Sequence, residues 1–295
     1  PAMRAMATRM GEWLPVGNEA CGTVVEAGSS PEAQALLGKR VALFGGEMYA
    51  DYRTVSMFQC IPLPDATASE DGASCFVNPM TALGFVETMK MEGHKAIVHT
   101  AAASNLGQML NRICLSDGVP LVNIVRSEDQ VALLKAEGAV HVVNSSDADF
   151  SDQLAVAVNA TGATLAFDAI GGGKLGNAIL MAMEAAAVKR MSEWSRYGSN
   201  EFKQLYIYGA LDLAPTSLNR GYGFSWGIGG WLLTPFMMKA GREVVDRMQA
   251  RVVAELTSTF ASSYSDRLSL VESVTPSAGA KYGVRRTGQK ALITF

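Results

Sequence analysis

Short apolar runs alternate with helical patterns along the chain from residue 95 onwards, and this alternation is the strongest constraint on its fold. The run KAIVHT has the composition of a β-strand, and the apolar residues that follow recur at helical spacing, at Leu106, Met109, Leu110, Ile113 and Cys114. Further strand-like runs are separated by helix-like segments and read VPLVNIV, VHVVN, TLAFDAI and QLYIYGAL. The pattern predicts an α/β chain with a parallel, doubly wound sheet covered on both faces.

Local signals predict the limits of some helices. Ser127 followed three residues later by Gln130 forms a capping-box pattern, and Gly138 is placed to end the same helix. Another helix is predicted over residues 234–258, where apolar residues share one helical face.

The first part of the chain has a different pattern. Residues 1–82 contain short β runs separated by Gly and Pro, without helical periodicity, and these runs are CGTVVEAG, KRVALFG and YADYRTVS. The final run, KALITF, is again strand-like. We therefore expect a small, mostly β domain over residues 1–82, the parallel-sheet domain over 83–232, and a return to the first domain over 233–295.

The composition and charge of the chain indicate which classes of partner it can bind. The chain has 295 residues, 48% of them hydrophobic, and its formal net charge is -3, with the cationic residues scattered. No basic face for nucleic acid or anionic lipid is apparent, and the longest apolar stretch, residues 227–238, is too short to span a bilayer. The four cysteines form no CxxC pair. These features predict a soluble, cytoplasmic protein with a small-molecule partner, and neither a nucleic-acid nor a membrane partner.

The segment AAASNLG, between the first strand and helix of the sheet, has the position of a dinucleotide-binding turn. It keeps only the last of three expected glycines, Gly107, and has Ser104 and Asn105 where the backbone would approach a pyrophosphate. Backbone N–H groups and the positive helix end could still hold a phosphate. An ordinary strand-to-helix turn is the alternative.

Arg126 follows the second strand, where an acidic residue would bind the ribose of NAD. An arginine there, beside Ser127, suits the 2′-phosphate of NADPH, which makes NADH the less favoured cofactor. Alternatively, Arg126 is a solvated side chain that pairs with Glu128 or Asp129.

The ordered segments resemble the medium-chain dehydrogenase/reductase superfamily, within it the zinc-free quinone oxidoreductase and enoyl reductase branch. The resemblance covers nearly the whole chain, over VGNEACGTVVEAG, GKRVALFG, FVNPMTAL, HTAAASNLG, LLKAEGAVHVVN and AFDAIGG. It implies a Rossmann-type sheet plus a GroES-like, mostly β domain. The chain departs from the family in the missing turn glycines and in Gln130 and Ser145, where quinone reductases often have Lys and Tyr.

The resemblance also implies that no zinc is bound. Alcohol dehydrogenases of the superfamily have His-Glu where this chain has Asn18-Glu19, and their four-cysteine lobe has no counterpart here. Cys21 is then a packed residue rather than a ligand. The dispersed histidines are interpreted as structural, although His99 could approach the cofactor; they are His94, His99 and His141.

Without a metal, the implied reaction is hydride transfer from NADPH to a quinone or a carbonyl-conjugated alkene. In the enoyl reductases, a Tyr near an Asn-Pro-Ser segment resembles the proton donor, and this sequence lacks that segment. Because the family has further strands before the position of Pro1, we expect the amino-terminal part of the β domain, and the donor with it, to be missing. Tyr49 and Tyr52 are other possible donors, unless they only follow strand alternation.

The remaining contacts are implied by resemblance. Thr81 would contact the nicotinamide ribose or carboxamide, and Ile170 the adenine. Trp231, in the GGWLL segment that resembles a loop closing over nicotinamide, is a candidate pocket wall. The pyrophosphate would contact Ser104, Asn105 and Leu106, the 2′-phosphate Arg126, and the nicotinamide Gly209 and Ala210. Thr81 could instead be a helix cap, and Trp231 a core or dimer-interface residue.

Three functions fit this sequence. The first is an NADPH-dependent reductase of quinones or activated alkenes, and the second an enoyl-thioester reductase, for which Arg53 and Lys90 are too few cations to argue a basic entrance. The third is a cofactor-binding protein without effective catalysis, which the lost glycines favour. The resemblance further implies a homodimer.

Overall fold

The computed structural model describes residues 10–283 and 287–295. Within them the chain divides into two compact units. Residues 82–239 form one, here called the sheet unit, and residues 11–81 and 240–295 together form the other, here called the terminal unit.

The described strands and helices are numbered in chain order. The strands are β1 (Glu19–Thr23), β2 (Arg40–Phe44), β3 (Cys60–Pro62), β4 (Ile97–His99), β5 (Leu121–Val125), β6 (His141–Asn144), β7 (Leu165–Asp168), β8 (Gly171–Gly173), β9 (Lys203–Ile207), β10 (Asp212–Thr216), β11 (Trp226–Gly230), β12 (Asp266–Ser269) and β13 (Ala291–Thr294). The helices are α1 (Pro31–Gln34), α2 (Ser69–Gly72), α3 (Val77–Met91), α4 (Asn105–Asp117), α5 (Glu128–Ala136), α6 (Phe150–Thr161), α7 (Leu175–Arg190), α8 (Leu233–Ala240), α9 (Arg242–Ala254), α10 (Leu270–Ser273) and α11 (Pro276–Gly283).

The sheet unit is built on six parallel strands in the order β11-β9-β7-β4-β5-β6. The chain starts in the middle at β4, adds β5 and β6 on one side, and then returns to add β7, β9 and β11 on the other. The strand order therefore reverses between β4 and β7, and ligands of open α/β sheets bind at the carboxyl ends of the strands beside such a reversal. This arrangement confirms the predicted α/β class and the Rossmann-type sheet.

The central strands are mostly apolar and fully buried because helices cover both faces of the sheet. Every residue of β4, β5 and β7 is buried, and the core is completed by apolar side chains of α6 and α7. The parallel pair of β8 and β10 was not predicted from the sequence.

Helix α5 corrects one local prediction. Ser127 is the residue before its first turn, but its side chain makes no capping hydrogen bond. In a capping box, the Gln130 side chain would accept from the backbone N–H of Ser127. Its Oε1 atom instead accepts from the backbone N–H of the preceding residue, Arg126, at 3.0 Å. Gly138 follows the helix with φ +85°, as predicted for its end.

The terminal unit contains a three-stranded antiparallel sheet, β1-β2-β3, and a parallel pair, β12 and β13. Strand β13 confirms the strand predicted for KALITF. The predicted strand at residues 49–56 is wrong, since that segment pairs with no strand in the described part of the chain, and β3 supplies the third strand instead. The single helix predicted over 234–258 is also wrong, because Gly241, at φ +83°, separates α8 from α9.

An open cavity of about 1340 Å³ lies within the terminal unit, lined by β1, β2, residues 48–57 and β13. No helix among residues 10–283 and 287–295 is long and apolar enough to cross a membrane.

Candidate cofactor site

The turn between β4 and α4 is tightly packed despite its missing glycines. Ala101 adopts φ +51°, a left-handed conformation that carries a steric cost for alanine. A Cβ atom placed on Gly107 would lie 2.1 Å from the carbonyl oxygen of Ala102. The one glycine that the turn keeps is therefore the one that its packing requires.

The first residues of α4 offer backbone N–H groups at the carboxyl end of the sheet. Ser104 precedes the helix, and its Oγ accepts from the N–H of Gly107 at 3.2 Å. Leu106 is buried, so its side chain anchors the first turn in the core. The structure thus brings Ser104, Asn105 and Leu106 together at the positive end of a helix, a location suited to an anion.

Arg126 lies just after β5, with its side chain exposed. Its guanidinium forms no ion pair with any carboxylate of residues 10–283 or 287–295, while Glu128 accepts from Asn144 Nδ2 at 3.0 Å. The backbone around Arg126 is held in place, because its carbonyl accepts from Ser146 Oγ at 2.9 Å. The alternative of an Arg126–Glu128 pair is therefore not seen, and the cation is available to a ligand.

Asp168, at the end of β7, is 1% exposed, and hydrogen bonds reach both of its carboxylate oxygens. Its Oδ1 accepts from Thr100 Oγ1 at 2.7 Å and from the N–H of Ile170 at 2.9 Å, and its Oδ2 accepts from the N–H of Gly171 at 3.1 Å. Thr100 Oγ1 in turn accepts from the N–H of Ala169 at 2.8 Å. These bonds join the ends of β4 and β7 at the point where the strand order reverses.

The segment after β7 packs directly against the segment after β9. A Cβ atom on Gly209 would lie 2.6 Å from the carbonyl oxygen of Ala169, and one on Gly171 would lie 2.8 Å from the carbonyl oxygen of Gly209. Ile170, a predicted adenine contact, is half-buried, whereas Ala210 is exposed. The structure therefore brings Ile170 close in space to the predicted nicotinamide segment that begins at Gly209.

Buried His99 and half-buried Tyr208 form a pair beside these segments, with 2.7 Å between His99 Nε2 and Tyr208 Oη. Burial lowers the pKa of His99 to about 3, so its imidazole is neutral at physiological pH. Burial, followed by the negative charge of Asp168, raises the pKa of Tyr208 above its usual value. Tyr208 therefore stays protonated, as a hydrogen-bonding group rather than an acid.

Trp231 and Thr81, two further predicted site residues, have side chains that are buried in the protein. Trp231 is 9% exposed, stacks against Phe236, contacts Phe85 edge-on, and donates its indole N–H to Thr88 Oγ1 at 3.0 Å. These are the contacts of a core residue, the alternative considered from the sequence. The GGWLL segment is only partly a loop, because its first two residues end β11 and its last begins α8. Thr81 is 6% exposed in α3 and belongs to the terminal unit.

The residues that zinc enzymes use as ligands have other roles here. Glu19 accepts from the N–H groups of Phe76 and Val77, at 3.1 and 2.8 Å, and burial raises its pKa. Burial also raises the pKa of Cys21 to about 11, which disfavours the thiolate that binds metals. Within the described residues, no group of three or more His, Cys, Asp and Glu side chains could hold a metal ion.

Sequence reasoning did not identify Thr100, Asp168 or Tyr208 as parts of this site. Each is a polar residue at or shortly after the carboxyl end of a strand of the parallel sheet, where ligands bind in open parallel sheets. Their position after a strand could therefore have identified them as candidate site residues. The contacts between them could not be predicted from the sequence, because those contacts depend on which strands are neighbours in the sheet.

Comparison with known proteins supports the fold along nearly the whole chain. No protein-family model matches the chain. The crystal structure of a candidate NADPH:quinone reductase from Mesorhizobium loti superimposes with a TM-score of 0.77 and is 29% identical, covering 95% of this chain and 77% of that one.

Several curated proteins, including the following two, match part of the chain. One is the mitochondrial enoyl-[acyl-carrier-protein] reductase of Caenorhabditis elegans, 26% identical over 143 residues, which are 45% of this chain and 41% of the reductase. The other is highly reducing polyketide synthase 40 of Fusarium pseudograminearum, 27% identical over 158 residues, which are 52% of this chain and 6% of the synthase. The matched segments thus span less than half the length of either relative. Together with the structural match, they confirm that this chain resembles the quinone reductase and enoyl reductase branch of the medium-chain dehydrogenase/reductase superfamily.

Proposed function

We propose that this chain is an NADPH-dependent oxidoreductase that transfers a hydride to a quinone or to an alkene conjugated with a carbonyl group. The observation that carries the proposal is the likeness to the Mesorhizobium loti candidate NADPH:quinone reductase, at 29% identity over 95% of the chain. The proposal assigns the sheet unit to the cofactor, and the terminal unit to the GroES-like domain predicted over residues 1–82 and 233–295.

The described residues fit a dinucleotide phosphate. The first turn of α4 presents N–H groups to a pyrophosphate near Ser104 and Asn105, and the exposed Arg126 supplies a cation for the 2′-phosphate. Arg126 has no carboxylate partner within the described residues, so binding a phosphate would not require breaking an ion pair.

NADPH, when bound, supplies the hydride, and the substrate gains that hydride and one proton. The residues of the chain bind and orient the cofactor. Gly209 and Ala210, after the end of β9, would contact the nicotinamide, and neutral His99 and Tyr208 add no charge there. We propose Thr81 as a contact of the nicotinamide and Ile170 of the adenine. Ser127 would assist Arg126, and Trp231 would support the pocket from the core through its contact with Phe85.

We further propose that the enzyme is zinc-independent, cytoplasmic and homodimeric. The high pKa of Cys21 and the engagement of Glu19 with two backbone N–H groups support zinc independence. The four cysteines are all free thiols, which fits a reducing compartment. The dimer is supported by resemblance alone, and sedimentation of the purified protein would test it.

Titration with NADPH and NADH, by calorimetry and tryptophan fluorescence, tests the cofactor. We expect NADPH to bind more tightly, and Arg126→Ala to weaken NADPH about tenfold or more while changing NADH little, as expected for one lost charge-assisted contact. Arg242→Ala, which removes an exposed arginine from α9 in the terminal unit, is the matched control. Equal losses for both cofactors would remove the case for a phosphate preference.

Two other functions remain as alternatives, each with its own support. The match to the Caenorhabditis elegans reductase favours an enoyl-thioester substrate. The loss of two of the three turn glycines, with only Gly107 kept, favours a cofactor-binding protein without effective catalysis. Turnover of NADPH with a quinone, a simple enone and a crotonyl thioester separates the three, because the last function predicts NADPH binding without oxidation of NADPH by any of these acceptors.

A further inference from the structure

The hydrogen bonds around Asp168 also act on the segment that links β7 to β8, here called the loop, which consists of Ala169, Ile170 and Gly171, the first residue of β8. The ladder between β4 and β7 ends where His99 lies opposite Phe167, and the Thr100 and Asp168 side chains meet just beyond it. The oxygen atoms of these two side chains accept from three consecutive backbone N–H groups: Thr100 Oγ1 from Ala169, and the Asp168 carboxylate from Ile170 and Gly171.

This loop cannot easily take up another position by itself. Gly171 has φ +77°, a conformation that side-chain-bearing residues rarely adopt. The backbone of Ala169 leaves no space for a Cβ on Gly209, and the carbonyl oxygen of Gly209 leaves none for a Cβ on Gly171. A buried carboxylate that lost one of its donors would also incur a desolvation cost, so the loop and the carboxylate favour each other's position.

We propose that Thr100 and Asp168 are positioning residues that hold the loop from Ala169 to Gly171 in the shape that receives the adenine half of the cofactor. The proposal rests on the proposed function. Thr100 acts through Asp168 and the loop backbone, because its hydroxyl is fully buried and does not reach a ligand itself.

The test measures binding of NADPH and of adenosine 2′,5′-bisphosphate, which carries only the adenine half, by calorimetry. Thr100→Val removes the hydroxyl at nearly constant shape, and Thr100→Ser retains it. Thr161→Val is the matched control, because the Thr161 hydroxyl bonds only to carbonyl groups of its own helix. Thermal unfolding of each variant accompanies the titrations.

We expect Thr100→Val to weaken both ligands by the same factor, about tenfold, and Thr100→Ser to bind within about twofold of the unchanged protein. Thr161→Val should bind as the unchanged protein does. The proposal is wrong if Thr100→Val binds both ligands normally, or if Thr100→Ser is as impaired as Thr100→Val.

The same experiment distinguishes a folding defect, a failure of the proposed function and a failure of the positioning role. If Thr100→Val does not fold, Thr100→Ala takes its place, and failure of both would make the pair a requirement of folding and overturn the positioning role. If the unchanged protein binds neither ligand, the proposed function is wrong and the positioning role falls with it. Normal binding by the unchanged protein and by Thr100→Val together would overturn the positioning role alone.

Discussion

Within the described residues, each unit has a lysine whose ammonium group is buried, and the two ammonium groups are accommodated in different ways. In the sheet unit, Lys203 is 0% exposed, and its Nζ lies 2.7 Å from Glu184 Oε2, 3.0 Å from Ser199 Oγ and 2.7 Å from the carbonyl oxygen of Glu201. In the terminal unit, Lys290 Nζ is buried without a hydrogen-bond partner and lies 5.5 Å from the centre of the Tyr264 ring. One ammonium has an acceptor for each of its three protons, and the other has none.

The pKa shifts follow from this difference. Burial alone would raise the pKa of Glu184, but hydrogen bonds from Lys203 and Ser199 hold it below its usual value. Burial lowers the pKa of Lys290, and the negative charge of Glu19 offsets only part of that effect. A buried charge therefore stabilises the fold only where the surrounding groups are placed to satisfy it, and the sheet unit provides that placement.

The largest effect is expected from breaking the satisfied pair. Lys203→Met should lower the free energy of unfolding by about 4 kcal/mol, because Glu184 would remain buried without its cation. Urea unfolding at neutral pH measures the loss. The double variant Lys203→Met with Glu184→Gln should recover part of it, since no charge is then left unpaired. A loss below about 1 kcal/mol for the single variant would contradict this account.

Individual strands of the two units also differ in how well the sequence predicted them. The central strands of the sheet unit were predicted because a strand covered on both faces is mostly apolar, as at β5, where four of the five residues are Leu, Val or Ile. Strand β11 was missed because WGIGG lacks the β-branched residues that mark strands. The false strand at residues 49–56 has suitable composition, but composition does not reveal whether a pairing strand is present.

The sequence predicted the local features of the candidate site but not its long-range contacts. Ser104 and Gly107 could be placed at a helix start, because that signal is local. The bond between Thr100 and Asp168 joins residues 68 positions apart, and it exists because β4 and β7 are neighbours in the sheet. Lys203 and Glu184 were likewise unremarkable in sequence, since only the packed structure buries them together.

His99 tests a third way of burying a base, which is to keep it neutral. Its Nδ1 atom has no hydrogen-bond partner, but its pKa is about 3 in the folded protein against 6.5 for an ordinary histidine. The unfolded chain therefore binds a proton first, and the stability that is present above pH 6.5 is lost as the pH falls towards 3.

Between pH 6.5 and about pH 4, the unchanged protein should lose about 3 kcal/mol more than His99→Gln, which cannot be protonated in this range. Urea unfolding across this range gives the difference. Parallel curves for the two proteins would show that His99 titrates alike in the folded and unfolded states, contrary to its complete burial.

A smaller effect compares glycines from the two units. Gly107→Ala should destabilise the protein by about 2 kcal/mol, because its Cβ would overlap the backbone of Ala102. Gly279→Ala, in α11 of the terminal unit, meets no atom within 4 Å and should stabilise by about 0.5 kcal/mol through helix propensity. Thermal unfolding and NADPH titration of both variants provide the measurement. Gly107→Ala should also lose NADPH affinity, and tolerance of this change would mean that the turn is looser than its contacts indicate.

The smallest effect is expected at the unsatisfied lysine. Lys290→Met removes an ammonium that has no hydrogen-bond acceptor, while Glu19 loses a favourable charge, so the free energy of unfolding at neutral pH should change by about 1 kcal/mol or less. Because the folded pKa of Lys290 lies below 10.5, the unchanged protein should also gain stability relative to the variant as the pH rises towards 10.5. Urea unfolding at neutral and alkaline pH measures both effects. A loss as large as that of Lys203→Met would mean that Lys290 has found an acceptor in solution, and the contrast between the two lysines would then disappear.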